Sequence, residues 1–325
     1  MYDFIAYRIP NENPVKKVGK FKPFKDSDKG FVISSFDQSK TYTFESNELY
    51  FEQEFIPHFL SDEPHCISKE TYLNFGNELI ELLNTNHVHK VVLSRIKKTN
   101  FNDKRITELF EKLCDSYPKA FVYLVSSPLL GTWIGATPET LISSDGIHGF
   151  SMALAGTKDK TAKQPWKEKE YNEQQWVSDF ILETLQLGGQ KEIKQEGPYE
   201  TDAGNLNHLC TDFSFLLGDH DPIDIAKRLH PTPAVAGLPQ KQSIEFITNM
   251  EEIKGGYSRD LYSGYIGLIE ESKTQLYVNL RCAQFLEKYA YLYVGGGYTK
   301  DSVSESEWNE TERKSETLLK IFEML

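Results

Sequence analysis

Residues 120–155 read AFVYLVSSPLLGTWIGATPETLISSDGIHGFSMALA. Four short runs rich in β-branched and aromatic residues stand out: Ala120–Val125, Trp133–Thr137, Thr140–Ser144 and His148–Ala155. Gly, Pro and Asp-Gly turns break them at the spacing of hairpins, which predicts consecutive antiparallel strands. Working outward, Asn74–Leu83 places Phe75, Leu79, Ile80 and Leu83 on one helical face, and Ile106–Tyr117 is a second amphipathic helix. His89–Ile96 is β-branched and apolar, a strand. Downstream, Lys167–Leu187 carries Trp176, Val177, Phe180, Ile181 and Leu185 at helical period. Leu206–Leu217 fits either element, and Ser243–Asn249 is a helix candidate. Leu261–Ile269, Gln275–Phe285 and Tyr289–Val294 read as three strands, and Ser306 to the C-terminus as a helix. Runs of strands with helices grouped outside them, and no regular βαβ alternation, predict an α+β fold of large antiparallel sheets packed together. A doubly wound nucleotide fold is disfavoured. The chain is expected to form one unit over 1–325, with residues 1–65 irregular apart from strand-like pieces at Gly30–Ser34 and Thr41–Phe44.

Composition narrows the function. The chain of 325 residues has 36 basic and 48 acidic side chains, so 36 − 48 = −12. A surface of that sign repels polyphosphate backbones, which argues against a nucleic-acid partner. An anionic small molecule remains compatible, because a bound cation can dominate a local field. Cys66, Cys114, Cys210 and Cys282 lie far apart without metal-type spacing and read as reduced, buried thiols of a cytoplasmic protein. The N-terminus, MYDFIAYRIP, lacks a basic region followed by an apolar run, so neither a signal peptide nor a membrane anchor is expected.

Several constellations carry potential chemistry. Glu170 and Glu173 sit three apart near the start of one helix, and Glu307 and Glu310 repeat the spacing on the last. Residues three apart share a face, so each pair offers two carboxylates in one direction, and two pairs could bind one Mg²⁺. The plainer reading is a solvated Glu-rich face. Lys90 opens the run KVVLSR, either as a snorkelling surface charge or as a desolvated general base. Gly295-Gly296-Gly297 follows the strand YAYLYV and reads as a tight turn or as backbone brought close to an anion; Ala155-Gly156-Thr157 reads the same way. His87 and His89 would share a strand face, but no third metal ligand is nearby. No nucleophile elbow supports a Ser/His/Asp triad.

Taken in order, these segments resemble the chorismate-utilising enzymes, which include isochorismate, salicylate, anthranilate and aminodeoxychorismate synthases. The matching stretches are KVVLSR (90–95), GATPETL (135–141), ALAGTK (153–158), KEYNE (169–173), HLCT (208–211), LHPTPAVAG (229–237), RDLYSGYIG (259–267), VNLRCA (278–283), GGG (295–297) and EWNETERK (307–314). They cover residues 75–325. The resemblance implies a large unit of packed antiparallel sheets with the active site in a cleft between them. It implies Mg²⁺ held directly by Glu173 and Glu310, with Glu170 and Glu307 beside them acting through water. It also implies that Arg281 and Lys314 hold the carboxylates of chorismate, that Gly156, Thr157 and Gly295 supply backbone contacts, and that His208 lies on the substrate side. Lys90 takes the position of the family's base and Glu139 that of its acid, which must then be protonated when substrate is bound and so needs a raised pKa.

Lys90 separates the chain from anthranilate synthases, whose residue there differs, and KVVLSR resembles the isochorismate type more than the aminodeoxychorismate type. Ala234 in LHPTPAVAG also resembles the isochorismate form, where salicylate makers tend to carry threonine. The expectation is therefore an isochorismate synthase, an isomerase serving menaquinone or siderophore biosynthesis. It would work as a monomer without a glutaminase partner. A salicylate synthase, an aminodeoxychorismate synthase component and a non-catalytic chorismate-binding subunit are the alternatives. Two departures stand: Gln174 follows Glu173 where histidine is usual, and the usual Gly-Ala-Gly is Gly295-Gly296-Gly297.

Overall fold

A computed structural model describes residues 2–46, 55–85, 88–160, 164–204 and 206–325. Among the described residues every strand, numbered along the chain, joins one sheet of sixteen in the order β10-β11-β9-β8-β14-β13-β3-β4-β2-β1-β6-β7-β15-β16-β5-β12, and each pairing is antiparallel. The opening stretch supplies β6 (Phe121–Ser127), β7 (Gly131–Thr137), β8 (Thr140–Ser144) and β9 (His148–Asp159). β6 pairs with β7, and β8 with β9, as hairpins.

The sheet folds over on itself. Phe121 of β6 stacks on Tyr277 of β14 (Thr274–Val278) with centroids 4.6 Å apart, although five strands separate them in the sheet order. Tyr123 Oη donates to Asn279 Oδ1 at 2.8 Å across the same interface. The central core is thus the meeting of two inner faces, filled by Tyr7, Phe31, Phe121, Trp133, Tyr277 and Tyr293. Each outer face has its own cover. Ile106, Leu109, Phe110 and Leu113 of α2 (Ile106–Ser116), with Leu318 and Ile321 of α6 (Ser304–Phe322), pack on Phe4, Val122, Ile134 and Leu292. On the other outer face, Val177, Ile181 and Leu185 of α3 (Glu168–Leu187) and Ile223 and Leu229 of α4 (Pro222–Leu229) pack on Ile142, Ala153 and Phe213. Each such side chain taken fully out of water contributes about 1.5–3 kcal/mol, so the amphipathic stripe dictates which face each helix covers. α1 (Lys69–Thr85) docks Tyr72, Phe75, Leu79 and Leu83 against the central core.

Several expectations need correction. Residues 3–46 hold more than two strand-like pieces: β3 (Gly30–Ser34) and β4 (Thr41–Ser46) fall where those pieces were expected, and with β1 (Asp3–Arg8) and β2 (Val15–Pro23) they form the middle of the sheet and bridge its halves. β2 is masked in sequence because the exposed Lys16, Lys17 and Lys20 stand beside the buried Val18 and Phe21. Gln275–Phe285 is two strands, β14 and β15 (Cys282–Leu286), with Arg281 at φ +49° reversing the chain between them. Leu261–Gly264 is a turn, and β13 starts only at Tyr265 and runs to Ile269. Gly295–Gly297 is neither a turn nor a loop but the end of β16 (Tyr289–Tyr298), laddered to Ser94, Leu93 and Val92 of β5 (Lys90–Asn100). The ambiguous Leu206–Leu216 is β11, paired with a long β10 (Lys191–Ala203) that the sequence reading did not find. α5 (Gln240–Ile247) runs on into a π-helical turn, Thr248–Lys254, and β12 (Gly237–Leu238) is a two-residue edge on β5. All four cysteines are unpaired, and Cys66 is only half-buried. Among the described residues no helix is long and apolar enough to cross a membrane.

Candidate active site

A cleft of about 700 Å³ lies between the two halves of the sheet, with α3 and α6 bordering it. Lys90 reaches it from the first position of β5 and is 1% exposed, so it is no surface charge. Glu139 reaches it from the turn ahead of β8 in the other half and is 2% exposed. Ten of the expected site residues that line it are Lys90, Glu139, Gly156, Thr157, Glu173, His208, Ala234, Arg281, Glu310 and Lys314. Gly295 also lines it. Glu307 is buried just behind, with Oε2 beside Gly296. Glu170 does not join them: its Oε2 accepts the Lys167 backbone N–H at 2.9 Å and caps the start of α3. His87 falls outside the described residues, and the exposed His89 packs its ring 5.8 Å from Trp176.

The charges are arranged in pairs. Lys90 Nζ lies 2.6 Å from Glu173 Oε1, Lys314 Nζ 2.7 Å from Glu310 Oε1, and Lys169 Nζ 2.6 Å from Glu307 Oε1. Lys314 Nζ also donates to the Gly295 carbonyl at 2.8 Å. Burial depresses Lys169, but the carboxylates of Glu307, Glu173 and Glu310 outweigh it and hold the ammonium charged. Burial and the charge of Glu310 push Glu307 upward, whereas Glu310 is held low because Lys314, Lys169 and Arg313 outweigh its own burial. No group of three or more acidic, His or Cys side chains among the described residues is gathered into a finished metal cage. Mg²⁺ does not require one, since it is usually held by one or two carboxylates together with waters and substrate oxygens. Glu173 and Glu310, hard oxygen donors from two helices on one cleft, fit such an ion, and Lys169 already shows that a cation is stable among these carboxylates.

Glu139 stands apart from these pairs. Its Oε1 is buried without a hydrogen-bond partner among the described residues. Burial pushes its pKa up to about 8, against the pull of Lys90, Lys314 and Arg281. It is therefore a neutral acid at pH 7. His208 is neutral for the opposite reason: burial, then the nearby Arg281, depress it to about 3. Its partners assign the tautomer. Nδ1–H donates to the Gly156 carbonyl at 2.8 Å, leaving Nε2 to accept from Arg281 Nη2 at 3.2 Å. Gly156 has φ +68°, which glycine adopts without penalty. Arg281 also reaches the Lys314 carbonyl at 3.3 Å and Thr317 Oγ1 at 3.2 Å.

Gly297 shows why the β16 glycines belong in a strand. A Cβ there would stand 2.6 Å from Glu173 Oε1 and 2.9 Å from Lys90 Cε. The strand must be bare for these two side chains to meet over it. Gly297→Ala is expected to leave the melting temperature nearly unchanged, because flexible side-chain ends can shift. A displacement of that size at a reacting group costs about 10²-fold, so steady-state kcat/KM should fall by about that factor.

Sequence reasoning missed a supporting pair. Glu251, on the π-helical turn, accepts Arg259 Nε on Oε2 at 2.8 Å, and on Oε1 both Arg259 Nη2 and the Ser94 N–H, each at 2.7 Å. Arg259 also donates to the carbonyls of Val235 at 2.7 Å and Val92 at 2.6 Å. Both side chains are almost fully buried, and together they clamp the strand of Lys90 to the loop of Ala234. Arg259 lay inside a matched motif, but nothing local pointed to its partner. Removing one member of such a buried pair costs about 3–5 kcal/mol, so Glu251→Ala should lower the urea unfolding midpoint accordingly. Gln174, also unforeseen in role, donates from Nε2 to Ala153 O at 3.1 Å and Thr211 Oγ1 at 3.0 Å, tying α3 to β9 and β11.

The fold and this cleft define a class: the chain belongs to the chorismate-binding enzyme family, whose model matches residues 31–323. Its first matched residue lies ahead of residue 75, where the motif resemblance begins. Among individual proteins, isochorismate synthase EntC of Escherichia coli strain K12 is 29% identical over 252 residues, covering 73% of this chain and 63% of that protein. The chain thus spans less than two thirds of that relative's length. The crystal structure of MenF, the menaquinone-specific isochorismate synthase of Escherichia coli, superposes with TM-score 0.81 at 18% identity, over 99% of this chain and 89% of that one. Anthranilate synthase component I of Streptococcus pneumoniae superposes with TM-score 0.71 at 16% identity, over 97% of this chain and 89% of that one. The fold is shared across different reactions, so side chains in the cleft must distinguish them.

Proposed function

We propose that this protein is a Mg²⁺-dependent isochorismate synthase, converting chorismate to isochorismate by attack of water at ring carbon C2 and loss of the C4 hydroxyl. The observation that carries this reading is that Lys90 and Glu139, both buried, enter one cleft from opposite halves of the sheet. Water is a poor nucleophile and hydroxide a poor leaving group, so the reaction needs a base and an acid on separate sides of the ring. As a free amine Lys90 takes a proton from the attacking water and becomes ammonium, and Glu139 gives its proton to the departing hydroxyl; one water enters and one leaves. Arg281 and Lys314 hold carboxylates, because charge-assisted contacts to fixed cations orient a dianion. The Gly156 and Thr157 segment and Gly295 line the ring's surroundings, and Ala234 leaves room beside it. Glu173 and Glu310, with Glu307 behind them, would hold the metal. Bound there, Mg²⁺ would supply charge that grips a substrate carboxylate and offsets the two glutamates now paired with Lys90 and Lys314. The four unpaired cysteines fit a reducing, cytoplasmic setting.

Incubation with chorismate and Mg²⁺, followed by chromatography, tests the reading. Isochorismate alone is expected, and chelation should abolish its formation. Salicylate with pyruvate as the product, or no conversion, would overturn the assignment. The pH profile follows from Glu139. The acid works only while protonated, so kcat/KM, which reports the free enzyme, should fall as pH rises through about 8.

A further inference from the structure

A second cavity, of about 1250 Å³, lies against the first and shares two wall residues with it, Pro138 and Arg281. Arg281 is the septum. Its Nη2 meets His208 of the cleft, and its Nη1 reaches the Lys314 carbonyl and Thr317, which lines the second cavity. The second cavity is walled by apolar groups such as Tyr117, Ile321 and Met324, and Lys119, Lys160 and Lys320 stand around it. These lysines are 79%, 51% and 53% exposed at the side chain. Asp202 is the acidic group of the lining, 3.7 Å from Lys119 and 3.0 Å from Lys160, and Glu316 pairs with Lys320 at 3.0 Å. Counting Arg281, four cations face two carboxylates, 4 − 2 = +2, on a chain whose net charge is −12.

We propose that this cavity is the antechamber through which a cyclic dicarboxylate reaches the cleft, rolling its ring along the apolar wall and passing a carboxylate to Arg281. The inference rests on the dianionic substrate proposed above. A negatively charged chain should repel a dianion at long range, so a local cationic mouth is what makes fast association possible. The two influences respond oppositely to salt. Steering by the cavity weakens as ions screen it, whereas repulsion by the whole chain is relieved.

The test is the association rate of chorismate with the full chain in Mg²⁺, followed by stopped-flow tryptophan fluorescence across an ionic-strength series; Trp166 lies beside Gly156, which lines the cleft. The wild-type rate should fall with added salt. The variant Lys119→Glu/Lys160→Glu/Lys320→Glu should bind about tenfold more slowly at low salt and accelerate as salt rises. The Lys119→Gln/Lys160→Gln/Lys320→Gln variant, which adds no new charge, should fall between them. Product release and turnover at saturation serve as the folding control, because none of the three lysines touches the cleft. A wild-type rate that rises with salt, or variants that match the wild type within about twofold, would overturn the route. A wild type that neither binds nor converts chorismate removes the substrate assignment itself, and with it the antechamber.

Discussion

Lys90→Ala is expected to lower kcat by about 10²–10⁴-fold, the usual contribution of a positioned general base, with much less effect on the affinity for chorismate. The residue sits at the first position of β5, anchored by backbone rather than by its amine: Ser243 Oγ donates to its carbonyl at 2.9 Å, and Leu238 pairs with it across the β12 edge. The alanine backbone retains those contacts. What the variant loses is the amine and its 2.6 Å contact with Glu173. Glu173 is itself partly open to the cleft, so the orphaned carboxylate keeps solvent or metal as a partner. Single-turnover kinetics separates the outcomes. A variant that binds chorismate normally but releases isochorismate at the wild-type rate would show that the base lies elsewhere.

Glu139→Gln should be comparably damaging, by about 10²–10⁴-fold in kcat, and it carries a second signature that a merely structural residue would not show. Glutamine keeps the shape and a hydrogen-bond donor but has no proton to give to a leaving hydroxyl. The alkaline fall in kcat/KM near pH 8 should therefore vanish from the residual activity. Stability moves in the reverse sense. The folded protein raises the Glu139 pKa above its unfolded value, chiefly through burial, so this group's favourable linkage is complete below the ordinary carboxyl range and is lost as pH climbs through about 8. Glutamine escapes that loss. Relative to wild type, Glu139→Gln should gain melting temperature as the buffer is taken from acid to alkaline pH. An unchanged difference across that range would mean that Glu139 ionises normally and cannot serve as the acid.

These two residues show how differently the chain discloses its parts. The β-branched runs of 120–155 were legible as strands because alternation and turn residues are local, and β8 and α3 fall within a residue or so of their expected limits. The ordered motifs from 90 to 314 named the residues that line the cleft. Within 1–46 the pieces Gly30–Ser34 and Thr41–Phe44 were legible and are β3 and β4, whereas β1 and β2 were not, since β1 gains its burial from a ladder with β6, more than a hundred residues further along. The glycines at 295–297, read as a tight turn or as backbone brought close to an anion, were not legible as strand for a similar reason. Their smallness serves Glu173 and Lys90, which arrive from another helix and another strand.

Local pattern and motif order by themselves determined the α+β class, most of the helices though not α4, the family and the identity of most cleft residues, because each depends on spacing along the chain. Tertiary structure alone decided that the sheet is continuous and doubled over, that Lys90 is buried against Glu173, that Glu170 caps a helix, and that burial raises the pKa of Glu139. The physical reason is that charge and desolvation depend on distance in space. Glu139 resembles any other glutamate in sequence until the two halves of the sheet close over it and exclude the water that would keep it ionised.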